Sequence, residues 1–272
     1  MLTRIALLLP VLALVAQDRN DWHEPFPPHR IAGNLYYVGT GGLASFLVTT
    51  PEGHILINSS FERDVPLIRS SIEKLGFKFG DVKILLTSHA HDDHAAGSFL
   101  VKELTGAKVM VMAGDDDIVR KGGKDWKPCK VDRVLKDGDE VKLGGMILTA
   151  HWTPGHTKGA TTWTFPVDDG GKTYRVLILS SLTINHPQGL VNNRAYPEIV
   201  ADYEKAYRSL HSMRCDIFLA PHGEQYGMRA KHARIREREN PFVDAGDFRR
   251  FVDQAERTFR KRLAGESQRP AR

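Results

Sequence analysis

Between positions 88 and 97 the chain reads Ser88-His89-Ala90-His91-Asp92-Asp93-His94-Ala95-Ala96-Gly97, with the spacing H-x-H-x-D-H. Imidazole nitrogen and carboxylate oxygen are donors that Zn²⁺ accepts, at about 2.0 to 2.2 Å. Two further histidines stand in matching surroundings: His156 in Thr153-Pro154-Gly155-His156-Thr157, a turn between two strands, and His222 in Leu219-Ala220-Pro221-His222-Gly223, just past an apolar strand. Five histidines and Asp93 suffice for two zinc sites that keep positions open for water. Zinc makes water a nucleophile at neutral pH, so hydrolysis is the chemistry to expect.

These residues need strand ends to hold them. The largely apolar segment 82–87 predicts the strand that delivers the cluster, and a helix over 97–105 follows it. Upstream, 34–38, 44–50 and 54–58 are short and β-rich, separated by Gly-rich and Pro-Glu-Gly turns, the pattern of an antiparallel meander. Asp64 is placed to cap a helix in which Val65, Ile68, Ile72 and Leu75 recur at helical spacing. The stretch 21–29, with Pro25, Pro27 and Pro28, reads as an extended lead-in. Downstream come a strand over 108–112, a short helix over 115–121 and a loop over 122–128. Strands over 131–135, 140–143, 146–150, 161–167 and 175–179 follow, then a helix over 199–213, a strand over 217–220 and basic terminal helices. Strands, helices, strands, helices is the order of two sheet-plus-helix halves packed sheet to sheet.

Composition excludes several classes. The 272 residues are 41% apolar and 26% charged, which rules out a disordered, collagenous or multi-span membrane chain. The formal charge of +5 is concentrated from Arg229 onward, where 13 Lys/Arg face 7 Asp/Glu. Ile235, Phe248, Phe251, Val252, Ala255, Phe259 and Leu263 recur there at helical spacing, so this reads as amphipathic helix with a solvated charged face rather than a nucleic-acid arm. Residues 1–16, Met1-Leu2-Thr3-Arg4 followed by an apolar run, read as an export signal too short to span a bilayer, with 17–272 as one domain. Cys129 and Cys215 could form one bridge, but neither sits in a metal-binding motif. His23, His29, His54, His151, His211 and His232 have no motif around them; Trp152 and Trp163 read as core or pocket wall, and Asp115-Asp116-Asp117 as the acidic start of a helix.

Taken together, the H-x-H-x-D-H run, the T-P-G-H-T turn and the strand-end histidine resemble the metallo-β-lactamase superfamily, and within it subclass B3, over positions 36–262. The resemblance implies an α/β (α+β) fold, the αββα sandwich, in which two mixed β-sheets lie face to face with helices outside. It implies that His89, His91 and His156 hold a first Zn²⁺ and that Asp93, His94 and His222 hold a second. Asp93 would also orient the nucleophile, a metal-bound hydroxide that opens the β-lactam amide of penicillins, cephalosporins and carbapenems. Such an enzyme would be periplasmic or secreted and would confer antibiotic resistance. It would act as a monomer on a small molecule, without nucleic acid and without membrane integration.

Two positions discriminate within that superfamily. Glyoxalase-two-like thioesterases, lactonases and transfer-RNA processing nucleases resembling this chain place a metal-bridging Asp after the strand that here ends at Leu179. The chain has Ser180-Ser181-Leu182-Thr183, as subclass B3 has Ser and unlike the Cys of subclass B1. In that family the hydroxyls at Ser181 and Thr183 help hold the substrate carboxylate; ordinary turn formation is the plainer role for them. The loop 184–189 would border the pocket, with His186 as a possible substrate neighbour. Asn58 stands where the superfamily usually carries Asp, which keeps the hydrogen-bonding shape and gives up the charge. The alternatives are another hydrolase on the same scaffold, for lactones, thioesters or phosphodiesters, and a non-catalytic zinc- or nucleic-acid-binding protein.

Overall fold

A computed structural model describes residues 19–268. Its first sheet contains β1 (His29–Ala32), β2 (Leu35–Tyr37), β3 (Phe46–Thr50), β4 (Gly53–Ile57), β5 (Val82–Leu86), β6 (Lys108–Met112) and β7 (Arg133–Leu135), in that spatial order. Pairing is antiparallel from β1 to β4 and parallel from β4 to β7. The second sheet contains β8 (Glu140–Leu143), β9 (Met146–Trp152), β10 (Thr161–Asp169), β11 (Lys172–Ile178) and β12 (Ile217–Leu219), antiparallel except for β11 beside β12. The sheets lie face to face with helices outside, as the resemblance implied.

Strand periodicity explains the layering. Side chains alternate between the two faces of a sheet. Ile55, Ile57, Ile84, Leu86, Met110 and Met112 accordingly join the core shared with Leu148, Ala150, Trp163 and Phe165 of the second sheet. Their neighbours Leu56, Leu85, Val109 and Val111 pack in a separate outer core. There they meet Val65, Ile68 and Ile72 of α1 (Val65–Lys74) and Val101 of α3 (Ser98–Thr105), α2 (Asp92–Ala95) lying between those helices in sequence. A further helix, α4 (Asp116–Lys121), adds Val119 to that layer. All five residues of β4 are buried, as expected of a strand covered on both faces.

The other outer layer is built by α5 (Ile199–Ser212), α6 (Met228–Ala233) and α7 (Asp247–Ser267). Phe248, Val252 and Phe259 of α7 are buried in the core with Tyr203 and Tyr207 of α5. The basic charges of this region face outward and many are paired: Arg250 with Asp244 and Asp247, Arg260 with Glu204 and Glu256. This matches the amphipathic reading of the tail. Among the described residues no helix is long and apolar enough to cross a membrane. The expected export signal at 1–16 lies outside the described residues.

Two local readings are corrected, and a third, left open by the sequence, is decided. Four residues of the supposed extended lead-in and its continuation form β1, because His29 pairs with Tyr37 across the strands and stacks on its ring at 5.2 Å. Upstream, residues 19–23 form a 3₁₀ turn. Asp64 occupies the cap position of α1 without capping it: its carboxylate instead accepts from Ser60 Oγ at 2.9 Å and meets His23 Nδ1 at 2.9 Å. Cys129 and Cys215 are both buried and free.

His29 carries a pH signature. Its ring is 6% exposed, lies between Tyr37 and Phe242 with the His232 ring at 4.6 Å, and donates Nδ1–H to Pro27 O at 2.9 Å. Burial, reinforced by His232, pushes its pKa down to about 4. An unfolded histidine takes a proton below about pH 6.5, whereas this one stays neutral, so its contribution to stability is present above pH 6.5 and is lost as pH falls toward 4. Between pH 7 and pH 5 this loss amounts to about 2 kcal/mol. Urea denaturation at the two pH values should show that much more acid destabilisation in the parent than in His29→Phe; equal losses would refute it.

Candidate metal centre

Parallel strands present their C-terminal ends on one edge, where side chains after each strand converge. Here β4 is followed by Asn58, β5 by the histidine cluster and β6 by Asp115; on the second sheet β11 is followed by 180–183 and β12 by His222. Asn58 is fully buried at φ 66°, a left-handed conformation that Asn tolerates better than most residues. Its Oδ1 accepts from Ser88 N at 2.8 Å and its Nδ2 donates to Ala44 O at 3.4 Å. It thus fastens the backbone just ahead of His89 without a charge. His91 precedes α2 in extended conformation, while Asp93 and His94 lie within that helix. His156 comes from the turn between β9 and β10.

All six expected donors come together. His89 Nε2 and His156 Nε2 are 3.2 Å apart, and the donor atoms of His89, His91 and His156 fall within 4.8 Å of one another. His94 Nε2 lies 3.2 Å from His222 Nε2 and 3.2 Å from Asp93 Oδ2, which is 3.5 Å from His222 Nε2. Donors at about 2.0 to 2.1 Å around a tetrahedral ion are separated by about 3.4 Å, so these spacings fit a metal rather than a packed polar core. His156 Nδ1 donates to Thr183 O at 2.7 Å, which leaves Nε2 as a bare lone pair facing His89.

Protonation fits as well. Burial, assisted by neighbouring imidazoles, pushes His156 and His222 down to about 3 and His89 well below its usual value. Burial also lowers His91. For Asp93 burial acts upward, but the charge and hydrogen bond of His94, with His222 and His91 beyond, hold the carboxyl well below the usual range. Neutral imidazoles and an ionised carboxylate are the forms a metal requires. An open groove of about 980 Å³ between Phe61, Arg63, Leu100 and Trp126 reaches Asp92 but includes none of the six donors in its lining.

Sequence reasoning missed Asp115. Asp116 and Asp117 pair with Arg120 and Lys121 as an acidic helix start should. Asp115 instead turns inward, fully buried, and accepts from Ala90 N at 2.8 Å, Thr157 Oγ1 at 2.7 Å and Gly159 N at 2.8 Å. It ties the His89–His91 segment to the His156 turn. Burial raises its pKa, against the pull of those three donors. A Cβ on Gly159 would lie 2.5 Å from Asp115 N, so only glycine fits there. The available signal was topological: Asp115 follows the strand parallel to β5.

Ser181 is buried with its Oγ 3.0 Å from the hydroxyl of Thr183, which is exposed. His186 Nε2 meets Gly155 O at 2.8 Å, a contact that steadies the His156 turn. Trp163 is buried and donates to Thr87 O, and Trp152 is partly buried against the same core, with Lys205 over its ring. Trp22, also unforeseen, lays its ring 5.3 Å from that of His222.

The metallo-beta-lactamase superfamily pattern matches residues 38–222, so the chain belongs to that superfamily and carries its hydrolase fold. Its structural likeness extends to subclass B3. The native FEZ-1 metallo-beta-lactamase of Legionella gormanii superimposes with a TM-score of 0.88 at 48% identity, over 90% of this chain and 98% of that one. LRA-12 from an Alaskan soil metagenome, a class B3 di-zinc metallo-beta-lactamase, gives 0.86 at 34% identity, over 91% and 98%. A hydroxyacylglutathione hydrolase of Hyphomonas neptunium is 34% identical over 103 residues, 38% of this chain; the match spans only 36% of that relative's length.

Proposed function

We propose that the protein is a zinc-dependent β-lactamase of the subclass B3 kind. The observation that carries this reading is the single carboxylate of the donor set: Asp93 stands among five histidines, and the turn after β11 offers Ser180, Ser181 and Thr183 where thioesterases of the superfamily would bring a bridging Asp. The FEZ-1 and LRA-12 likenesses support it, as does their coverage of nearly the whole chain.

His89, His91 and His156 would hold one zinc ion, and Asp93, His94 and His222 a second. Bound zinc supplies Lewis acidity and lowers the pKa of water toward neutrality. Hydrolysis adds water across the amide: its oxygen bonds to the carbonyl carbon, the C–N bond breaks and a proton passes to the ring nitrogen. Ionised Asp93 orients the attacking water by accepting a hydrogen bond from it. The exposed Thr183 hydroxyl, backed by Ser181, receives the substrate carboxylate. The enzyme would act in the periplasm or outside the cell and confer resistance to the drugs it opens.

Steady-state turnover of a carbapenem, a penicillin and a cephalosporin should vanish with a chelator and return with zinc. The same panel should include a hydroxyacyl thioester, an acyl-homoserine lactone and a phosphodiester. Faster turnover of any of these three than of every β-lactam would overturn the assignment.

A further inference from the structure

One wall of the centre, residues 179–198, has no regular structure, and buried backbone groups in such a segment need partners. The C-terminal helix supplies several. Arg262 and Glu266, one turn apart on α7, pair through Nε and Oε1 at 2.8 Å. Glu266 Oε2 accepts from Leu190 N at 2.5 Å and Val191 N at 3.2 Å. Arg262 donates to Ile184 O at 2.7 Å and His186 O at 3.5 Å. Gly189, at φ +75°, lets the loop lie against this pair: a Cβ there would come within 2.6 Å of Glu266 Oε2.

The inner side of the same segment grips the metal centre. Thr183 O accepts from His156 Nδ1 and from Tyr203 OH, each at 2.7 Å, and His186 donates to Gly155 O. The Arg262 guanidinium is therefore two hydrogen bonds and one peptide unit removed from a metal-ligand candidate, and the Glu266 carboxylate one bond further. We propose that Arg262 and Glu266 are positioning residues: they hold 184–191 at the register in which Thr183 orients His156 and faces the substrate. Where the substrate is concerned this rests on the β-lactamase reading; the grip on the loop does not.

The test compares Glu266→Ala, Glu266→Gln and, as a surface control on the same helix, Arg257→Ala. Amide hydrogen exchange at Leu190 and Val191 reads the grip directly. Glu266→Ala should exchange there at least about tenfold faster while the rest of the chain keeps its protection. KM for a carbapenem should rise about tenfold with kcat within about threefold, because a displaced wall weakens binding and orientation before it removes the donors. Glu266→Gln, which retains an acceptor oxygen, should restore most of both effects, and Arg257→Ala should match the parent. Should Glu266→Ala fail to fold, Arg262→Lys, which keeps the charge but cannot reach both carbonyls, takes its place. Parent-like exchange in the variants, or a uniform loss of protection and kcat that Gln does not rescue, overturns the proposal. A parent without β-lactam turnover refutes the substrate assignment alone, because exchange still decides the grip.

Discussion

Asp93→Asn should yield a folded protein that hydrolyses a carbapenem about 10³-fold more slowly than the parent, a loss of about 4 kcal/mol in transition-state stabilisation. Asn preserves the shape of the side chain and removes its charge. Asp93 is the only carboxylate in the two donor groups, and its Oδ2 faces both His94 and His222. No other anion in the group can replace it as a zinc donor or as the acceptor that orients water. The fold should survive because the side-chain contacts of Asp93 are to the donor histidines rather than to the core. Circular dichroism, zinc content and kcat at saturating zinc check the three parts. Activity within tenfold of the parent would remove Asp93 from the mechanism.

Asp115→Ala acts by a different route and should cost about 3 to 5 kcal/mol of stability, because three buried neutral donors lose their acceptor at about 1 to 3 kcal/mol each, partly relieved by relaxation. It leaves Ala90 N, Thr157 Oγ1 and Gly159 N without their shared acceptor in a site closed to solvent. The same three bonds couple the two segments that carry His89, His91 and His156, so zinc retention should also fall, by about 10- to 100-fold. Asp115→Asn should recover only part of this, since its amide NH₂ must face one of the donors. Urea denaturation and zinc competition against a chromophoric chelator measure the two effects. Stability within 1 kcal/mol of the parent, with parent zinc retention, would show that Asp115 does not tie the segments together.

The cluster of five histidines and Asp93 was readable before the fold because its signal is local. Residue type and spacing mark His89 to His94, and Pro-Gly or Ala-Pro turns at strand ends mark His156 and His222. The sheet-to-sheet layering followed from the order of strands and helices, and the split of Ile55 and Ile57 from Leu56 between two cores fits it. What escaped depends on partners far along the chain. Asp64 looks like a cap until Ser60 and His23 claim its carboxylate. Asp115 looks like its two neighbours until β6 places it against Ala90, 25 residues earlier, and Gly159, 44 later. Glu266 reaches Leu190 across 76 residues with no periodicity to announce it.

The wide sequence separation of the donors also bears on time. His89 and His156 are 67 positions apart, whereas His94 must wait for His222, 128 positions later. The three-histidine set is complete in sequence by residue 156, ahead of β10 to β12 and α5 to α7. The second set closes only after β12 has docked beside β11, a long-range pairing of the kind that forms late and slowly. The three-histidine group thus depends on nearer partners, and the neighbourhood of Asp93 is the last to be completed along the path of folding.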